Sequence, residues 1–274
     1  MAPSSLETQI SKRSARKVAA IGLLGLISFM GLAACSAGDG DPASQPKPDP
    51  LGAGDRIRQV VNPALHKADA DVFVTGAEVI AVDTFDETGD GKSRGTIYVQ
   101  DVGSQDAYSG TSLYAPAFVP ANLKVSPGDV LDLRGPYTEM KAIGSAVFDE
   151  GQVLPQISKP TATFRYETQL PPPVEIDVTD LNEYGKGRQW MNMLVTVKDV
   201  TLADDLTGDA KNTGRVTAHI SPGAGRDSVT MSNEFYDLKA GSIPAGTKLK
   251  SLTGVVTWFF SYHIAPRSQA DIEM

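Results

Sequence analysis

Cysteine is all but missing from this chain of 274 residues: Cys35 is the only one. No disulfide can form within the chain, so its stability has to come from packing. Histidine is scarce as well. His66, His219 and His263 are the three, and none has a second His or Cys at the spacing a zinc site needs. There is no Gly-x-Ser-x-Gly elbow between a strand and a helix, which removes the usual signature of a serine nucleophile. Gly91-Lys92-Ser93 ends like a phosphate-binding loop, but position 86 is Asp where that loop needs Gly. The next stretch, Gly95-Thr-Ile-Tyr-Val99, reads as a strand where the loop needs a helix. No catalytic constellation emerges, and the chain reads as non-enzymatic. No apolar run reaches the about 20 residues of a stable membrane span.

What the chain does have begins at its N-terminus. Lys12, Arg13, Arg16 and Lys17 form a basic cluster, followed by an apolar run from Val18 to Ala34 and then Leu32-Ala33-Ala34-Cys35. A basic segment, a short apolar segment and small residues at its end are the physical signature of a secretory signal. The last four residues resemble the bacterial lipobox. That resemblance implies cleavage before Cys35, two or three acyl chains on Cys35, and a protein lipid-anchored to a bacterial membrane of the cell envelope, facing periplasm or exterior. It also gives the lone cysteine a reason to exist. An uncleaved N-terminal anchor is the alternative, and it explains neither the position of Cys35 nor the polar, Gly- and Pro-rich residues after it. Residues 1–34 therefore read as a lipoprotein signal peptide. Residues 35–55 are dominated by Gly, Pro, Ser, Ala and Asp and read as a disordered tether.

The chain carries a formal charge of −8. The first 34 residues hold four basic residues and one acid, so removing them takes the charge to −11. An acidic surface is repelled by phosphate backbones, which makes nucleic acid an unlikely general partner. A protein or a neutral glycan meets no such repulsion.

Beyond a short helix at Asp55–Val61, strand signals dominate. Val72–Val82, Gly95–Asp101, Asp129–Arg134, Leu194–Val200, Arg215–Ile220 and Leu252–Phe260 are rich in β-branched and aromatic residues, with Gly, Pro, Ser and Asp at the turns between them. The order of signals occurs twice. Thr88-Gly89-Asp90 leads to Gly95 in the first copy, and Thr207-Gly208-Asp209 leads to Gly214 in the second. Pro127-Gly128-Asp129 opens a strand reaching Gly135, and Pro244-Ala245-Gly246-Thr247 opens one reaching Gly254. The offset stays near about 120 residues. Closing strands are expected at Val153–Ser158 and Tyr262–Pro266. The proline run after Leu170 marks the boundary, giving a first module at 56–170 and a second at 171–274, expected to separate into two stable pieces.

Five short strands, a long acidic hairpin, Gly-Asp before the fourth strand and Gly ending it resemble an OB-fold barrel. The wording is similar to OB-like modules found beside secreted bacterial nucleases. The stretches that carry the likeness are Gly95–Asp101, Tyr108-Ser-Gly110, Pro127–Val130 with Gly135, Met193–Val200, Gly254–Val256, and Ile264-Ala-Pro-Arg-Ser-Gln-Ala-Asp-Ile272. The resemblance implies an all-β chain of two tandem OB-fold-like five-stranded barrels after a signal peptide and tether. It also implies either an OB-type nucleic-acid or oligosaccharide binder or an accessory subunit of a separate secreted hydrolase. No nuclease domain follows, and the first copy lacks a counterpart of the Pro-Arg-Ser ending.

Two candidate sites remain. Asp86-Glu-Thr-Gly-Asp90-Gly91 has the spacing that opens an EF-hand loop, but its twelfth position is Ile97 and it lies between strands. A weaker calcium site from Asp83, Asp86 and Asp90 is the functional reading, and a solvated hairpin turn the plain one; Asp204, Asp205 and Asp209 occupy the matching loop. The second site is Trp258-Phe-Phe-Ser-Tyr262. Strand alternation puts Trp258, Phe260 and Tyr262 on one face, as a stacking platform for bases or sugars or as filling for a barrel core.

Overall fold

The β-branched runs form strands that close on themselves twice. The computed structural model describes residues 52–65, 70–85, 95–208, 214–223 and 228–274. In the first barrel, β1 is Ala70–Val82, β2 Ile97–Asp101, β3 Gly110–Tyr114, β4 Asp129–Met140 and β5 Leu154–Ser158. Hydrogen-bonded neighbours run β1-β2-β3-β5-β4, and β4 pairs back onto β1. β3 and β5 are parallel, and the other ring pairings are antiparallel. In the second barrel, β6 is Leu194–Leu202, β7 Val216–Ser221, β8 Val229–Ser232, β9 Lys248–Trp258 and β10 Tyr262–Ala265. The ring order is β6-β7-β8-β10-β9, closed by β6 on β9, with β8 and β10 the parallel pair. The repeated order of sequence signals is thus a repeated barrel topology. Closure leaves neither ring an open edge for another chain to pair with.

Alternation sends one residue in two to each barrel's interior. Val74, Val79, Val99, Leu131, Leu133 and Ile157 fill the first. Met193, Val197, Ile220, Met231, Leu249 and Ile264 fill the second. The expected helix forms as α1 (Ile57–Val61), and its Ile57, Val60 and Val61 join the first core. The buried Asp101 carboxylate accepts the Ile57 and Arg58 amides at 2.7 and 3.1 Å, satisfying donors that a helix start leaves unpaired. The Pro-Arg-Ser ending has a structural use. Arg267 forks onto Asp271 through Nε (3.1 Å) and Nη2 (3.0 Å), just before Ile272–Glu273 pairs on β9.

The two sheets meet in a third apolar cluster, in which Ile80, Ala81 and Tyr98 face Leu194 and Val255. Polar groups cross the same seam. Leu194 N–H donates to Gln100 Oε1 (2.9 Å), Tyr108 N–H to the Gln189 carbonyl (2.7 Å) and Tyr98 OH to Glu234 (2.9 Å), while Arg188 pairs with Glu139. Residues 48–274 belong to one compact unit. The two barrels therefore share a packed seam. The polyproline stretch itself is tied back, with Gln105 Nε2 donating to the Pro172 and Pro173 carbonyls at 3.3 and 3.0 Å.

One buried acid stands apart. Glu78 of β1 has no exposed surface, and neither carboxylate oxygen has a partner in good hydrogen-bond geometry among the described residues, although the Gly103 amide approaches it. Burial pushes its pKa from 4.5 up to about 7, and the Gly103 amide offsets this only in part. The unfolded chain releases this proton first, so stability is full below about pH 4.5, falls as pH rises, and levels off above about 7. The decline amounts to about 3 kcal/mol. Glu78→Gln, neutral throughout, is expected to flatten the profile, with urea midpoints nearly equal at pH 5 and pH 8. A wild-type profile that rises across this window would contradict the assignment.

Candidate functional site

Two clefts flank Trp258. The first, about 340 Å³, opens between the barrels. Its wall on the first barrel is a cross-strand row of outward side chains, Tyr98, Ser112 and Gln156, in register across β2, β3 and β5. The equivalent strands of the second barrel carry the matching row His219, Thr230 and His263. His263 lines this first cleft, opposite Thr257 of β9. Glu234 sits in the same cleft. It accepts Tyr98 OH at 2.9 Å and Thr257 Oγ1 at 2.7 Å, one on each oxygen. Arg215 lies over the Phe259 ring, 5.2 Å from its centroid. Burial and the neighbouring Arg215 and His219 push the His263 imidazole down to about 4, so it is neutral at physiological pH.

The second cleft, about 260 Å³, is lined by the aromatic residues of the β9–β10 turn together with His219, Ser228, Thr230, Asn182 and Gln152. The strand expected to run through Phe260 stops sooner. β9 ends at Trp258, Phe259–Ser261 make the turn, and Phe260 adopts a left-handed φ of 62°. Alternation therefore does not carry across the segment. Trp258 and Tyr262 are direct cross-strand partners, 4.7 Å apart, and both are buried, at 6% and 2% exposure. They pack with Tyr184 and Phe148 in the second barrel's core, and of the three only Phe260, 43% exposed, stands out of it. This corrects the single exposed face: Trp258 and Tyr262 fill the end of the barrel and are largely buried. All three still line one cavity.

His219 is held from behind. Asp204 accepts its backbone N–H on Oδ1 and its Nδ1 on Oδ2, each at 2.6 Å. Burial raises the Asp204 carboxyl, but the bonds from His219 outweigh it and leave the pKa below the ordinary value. The carboxylate on Nδ1 fixes the orientation of the ring. The sequence offered no sign of this pair, because the partners are 15 residues apart and meet only across the barrel wall. Asp205 is occupied too, accepting the Ala245 amide at 2.7 Å.

The calcium trio fares differently. Asp86, Asp90 and Asp209 lie outside the described residues. Asp83 is buried, and its backbone exchanges hydrogen bonds with Thr96 (2.9 Å) and Gly95 (2.7 Å). Among the described residues no group of three His, Cys, Asp or Glu side chains converges on a metal position. Cys35 also lies outside the described residues, among which no helix is long and apolar enough to cross a membrane. Comparison with protein-family models, curated proteins and solved structures returned no match.

Proposed function

We propose that the protein is a lipid-anchored, non-enzymatic binding module of a bacterial cell envelope. Its ligand is a neutral polyhydroxyl compound, a glycan in chemical class, held in the second cleft. One observation carries this reading. Trp258, Phe260 and Tyr262 line a single cavity together with hydroxyls, amides, one imidazole and the apolar Leu181 and Val229, and with no Lys, Arg, Asp or Glu among its described lining. Aromatic surface covers the apolar faces of a sugar ring, and hydroxyl and amide groups meet its rim. The His219 ring, held in place by Asp204, gives the cleft a polar group to which a sugar hydroxyl can bond. Two rings in the order first-second-third-fifth-fourth, with the third and fifth strands parallel, support the OB-like reading, a fold that binds oligosaccharides as well as oligonucleotides. A formal charge of −11 after signal cleavage favours the glycan over the nucleic acid.

The test is a titration of the signal-free protein with neutral envelope polysaccharide and with a single-stranded oligonucleotide, at low and high salt. Saturable polysaccharide binding that is insensitive to salt is expected. Phe260→Ala should weaken it about tenfold, the scale of one lost stacking contact. Tight, salt-sensitive oligonucleotide binding would overturn the assignment.

A further inference from the structure

We propose that the seam between the barrels is a pH-sensitive joint, held shut while the Glu78 carboxyl is neutral and loosened when it ionises. The placement of Glu78 carries the case. Val79 points into the first core, so its neighbours Glu78 and Ile80 point out of the barrel, and Ile80 packs in the apolar cluster of the seam. Glu78, Gln100 and Gly110 are cross-strand partners in one row over β1, β2 and β3. The second barrel rests on that row. The Leu194 amide donates to Gln100 Oε1 at 2.9 Å, and a Cβ on Gly110 would lie 2.3 Å from the Asn192 carbonyl oxygen. Glu78 thus stands beside the contact, on an outer barrel face, yet with no exposed surface.

Nothing around it is set to hold an anion. Its cross-strand partner Gln100 is spent, because Nε2 donates to the Ser104 carbonyl at 2.6 Å while Oε1 takes the Leu194 amide. On β2, Asp101 is taken up by the Ile57 and Arg58 amides and by Arg56. On β4, Asp132 pairs with Arg165 and Asp129 accepts the Ser126 amide. In the loop after β2, Asp106 pairs with Arg58. From the second barrel, Asn192, Met193 and Leu194 bring no charge, and Glu234 accepts the Tyr98 and Thr257 hydroxyls. A buried charge without a partner is costly, and parting the barrels gives it water. Burial lifts the carboxyl from 4.5 to about 7, offset in part by the Gly103 amide. Docking is therefore at full strength below about pH 4.5, weakens as pH rises and reaches its floor above about 7. The pH dependence of stability then belongs to docking before it belongs to unfolding.

Hydrogen exchange of the signal-free protein at pH 5 and pH 8, with each rate divided by its intrinsic chemical rate, reads the joint residue by residue. The Leu194 amide reports the seam, because its acceptor lies on the other barrel. The amide of Val99, whose side chain is fully buried in the first core, reports opening of the barrel itself. Protection of Leu194 is expected to fall about tenfold or more from pH 5 to pH 8. Val99 should stay about tenfold or more better protected than Leu194 at pH 8. Glu78→Gln keeps the shape and cannot ionise, so it should hold Leu194 at its pH 5 protection throughout. Leu194 protection that is the same at both pH values, or that falls equally in Glu78→Gln, would overturn the proposal. So would Leu194 and Val99 exchanging together, since the event would then be unfolding and not undocking.

Discussion

Cys35→Ser is expected to move the protein from the membrane pellet to the soluble fraction almost completely. Each buried methylene contributes about 0.8 kcal/mol to anchoring, and one acyl chain holds only marginally. Two or three chains, as the lipobox resemblance implies, make attachment effectively permanent, and serine has no thiol to carry the first. The barrels lie well beyond this residue, with Asp55 bridging to Val74 of β1. The variant should therefore keep the wild-type melting temperature. A variant that stays with membranes through high-salt and carbonate washing would contradict lipid anchoring.

Gly110→Ala is expected to cost about 3 kcal/mol, the upper part of the range for overpacking. Gly110 opens β3 directly beneath the seam. A Cβ there would lie 2.3 Å from the Asn192 carbonyl oxygen and 2.5 Å from its carbon. Backbone cannot swing aside as a side chain can. Asn192 is already fixed, with a left-handed φ of 61°, its N–H on the Val256 carbonyl at 2.7 Å and its side-chain amide reaching the Pro155 carbonyl at 3.3 Å. For a chain of this length the loss corresponds to a fall of about 10 °C in melting temperature. The single transition expected of the docked pair should broaden or split, because the new methyl meets the second barrel at Asn192 and Met193 and forces the barrels apart. Gly185→Ala, with open space around the new methyl, is the control and should change little. Equal effects for the two would mean that the seam is loose.

The barrels were readable because their signals are local. β-Branched runs, turn glycines and a twice-repeated order predict strands, and closure follows from too many short strands with one apolar face each. The closing strands at Leu154–Ser158 and Tyr262–Ala265 fall within the expected segments. The aromatic segment misled because period-two alternation holds only along one uninterrupted strand. The left-handed Phe260 breaks the period, and nothing in Trp-Phe-Phe-Ser-Tyr announces a turn. The docking of the barrels was invisible for a different reason. A proline run reads as a linker, whereas Ile80, Tyr98 and Val255 read as ordinary strand residues until their outward faces are seen to meet. Pairs such as Asp204 with His219 belong to the same class, since sheet register brings them together and spacing along the chain does not.

Fluorescence of Trp258, isolated in a Trp190→Phe background, reports most directly on whether the aromatic-lined cleft binds a neutral glycan. Trp258 lines that cleft and is otherwise buried, so a guest seated there changes its surroundings. Titration with a neutral envelope oligosaccharide should give a saturable change in emission that is the same at low and high salt and weakens in Phe260→Ala. An emission spectrum unmoved by any neutral glycan, but shifted by an oligonucleotide in a salt-sensitive way, would contradict it.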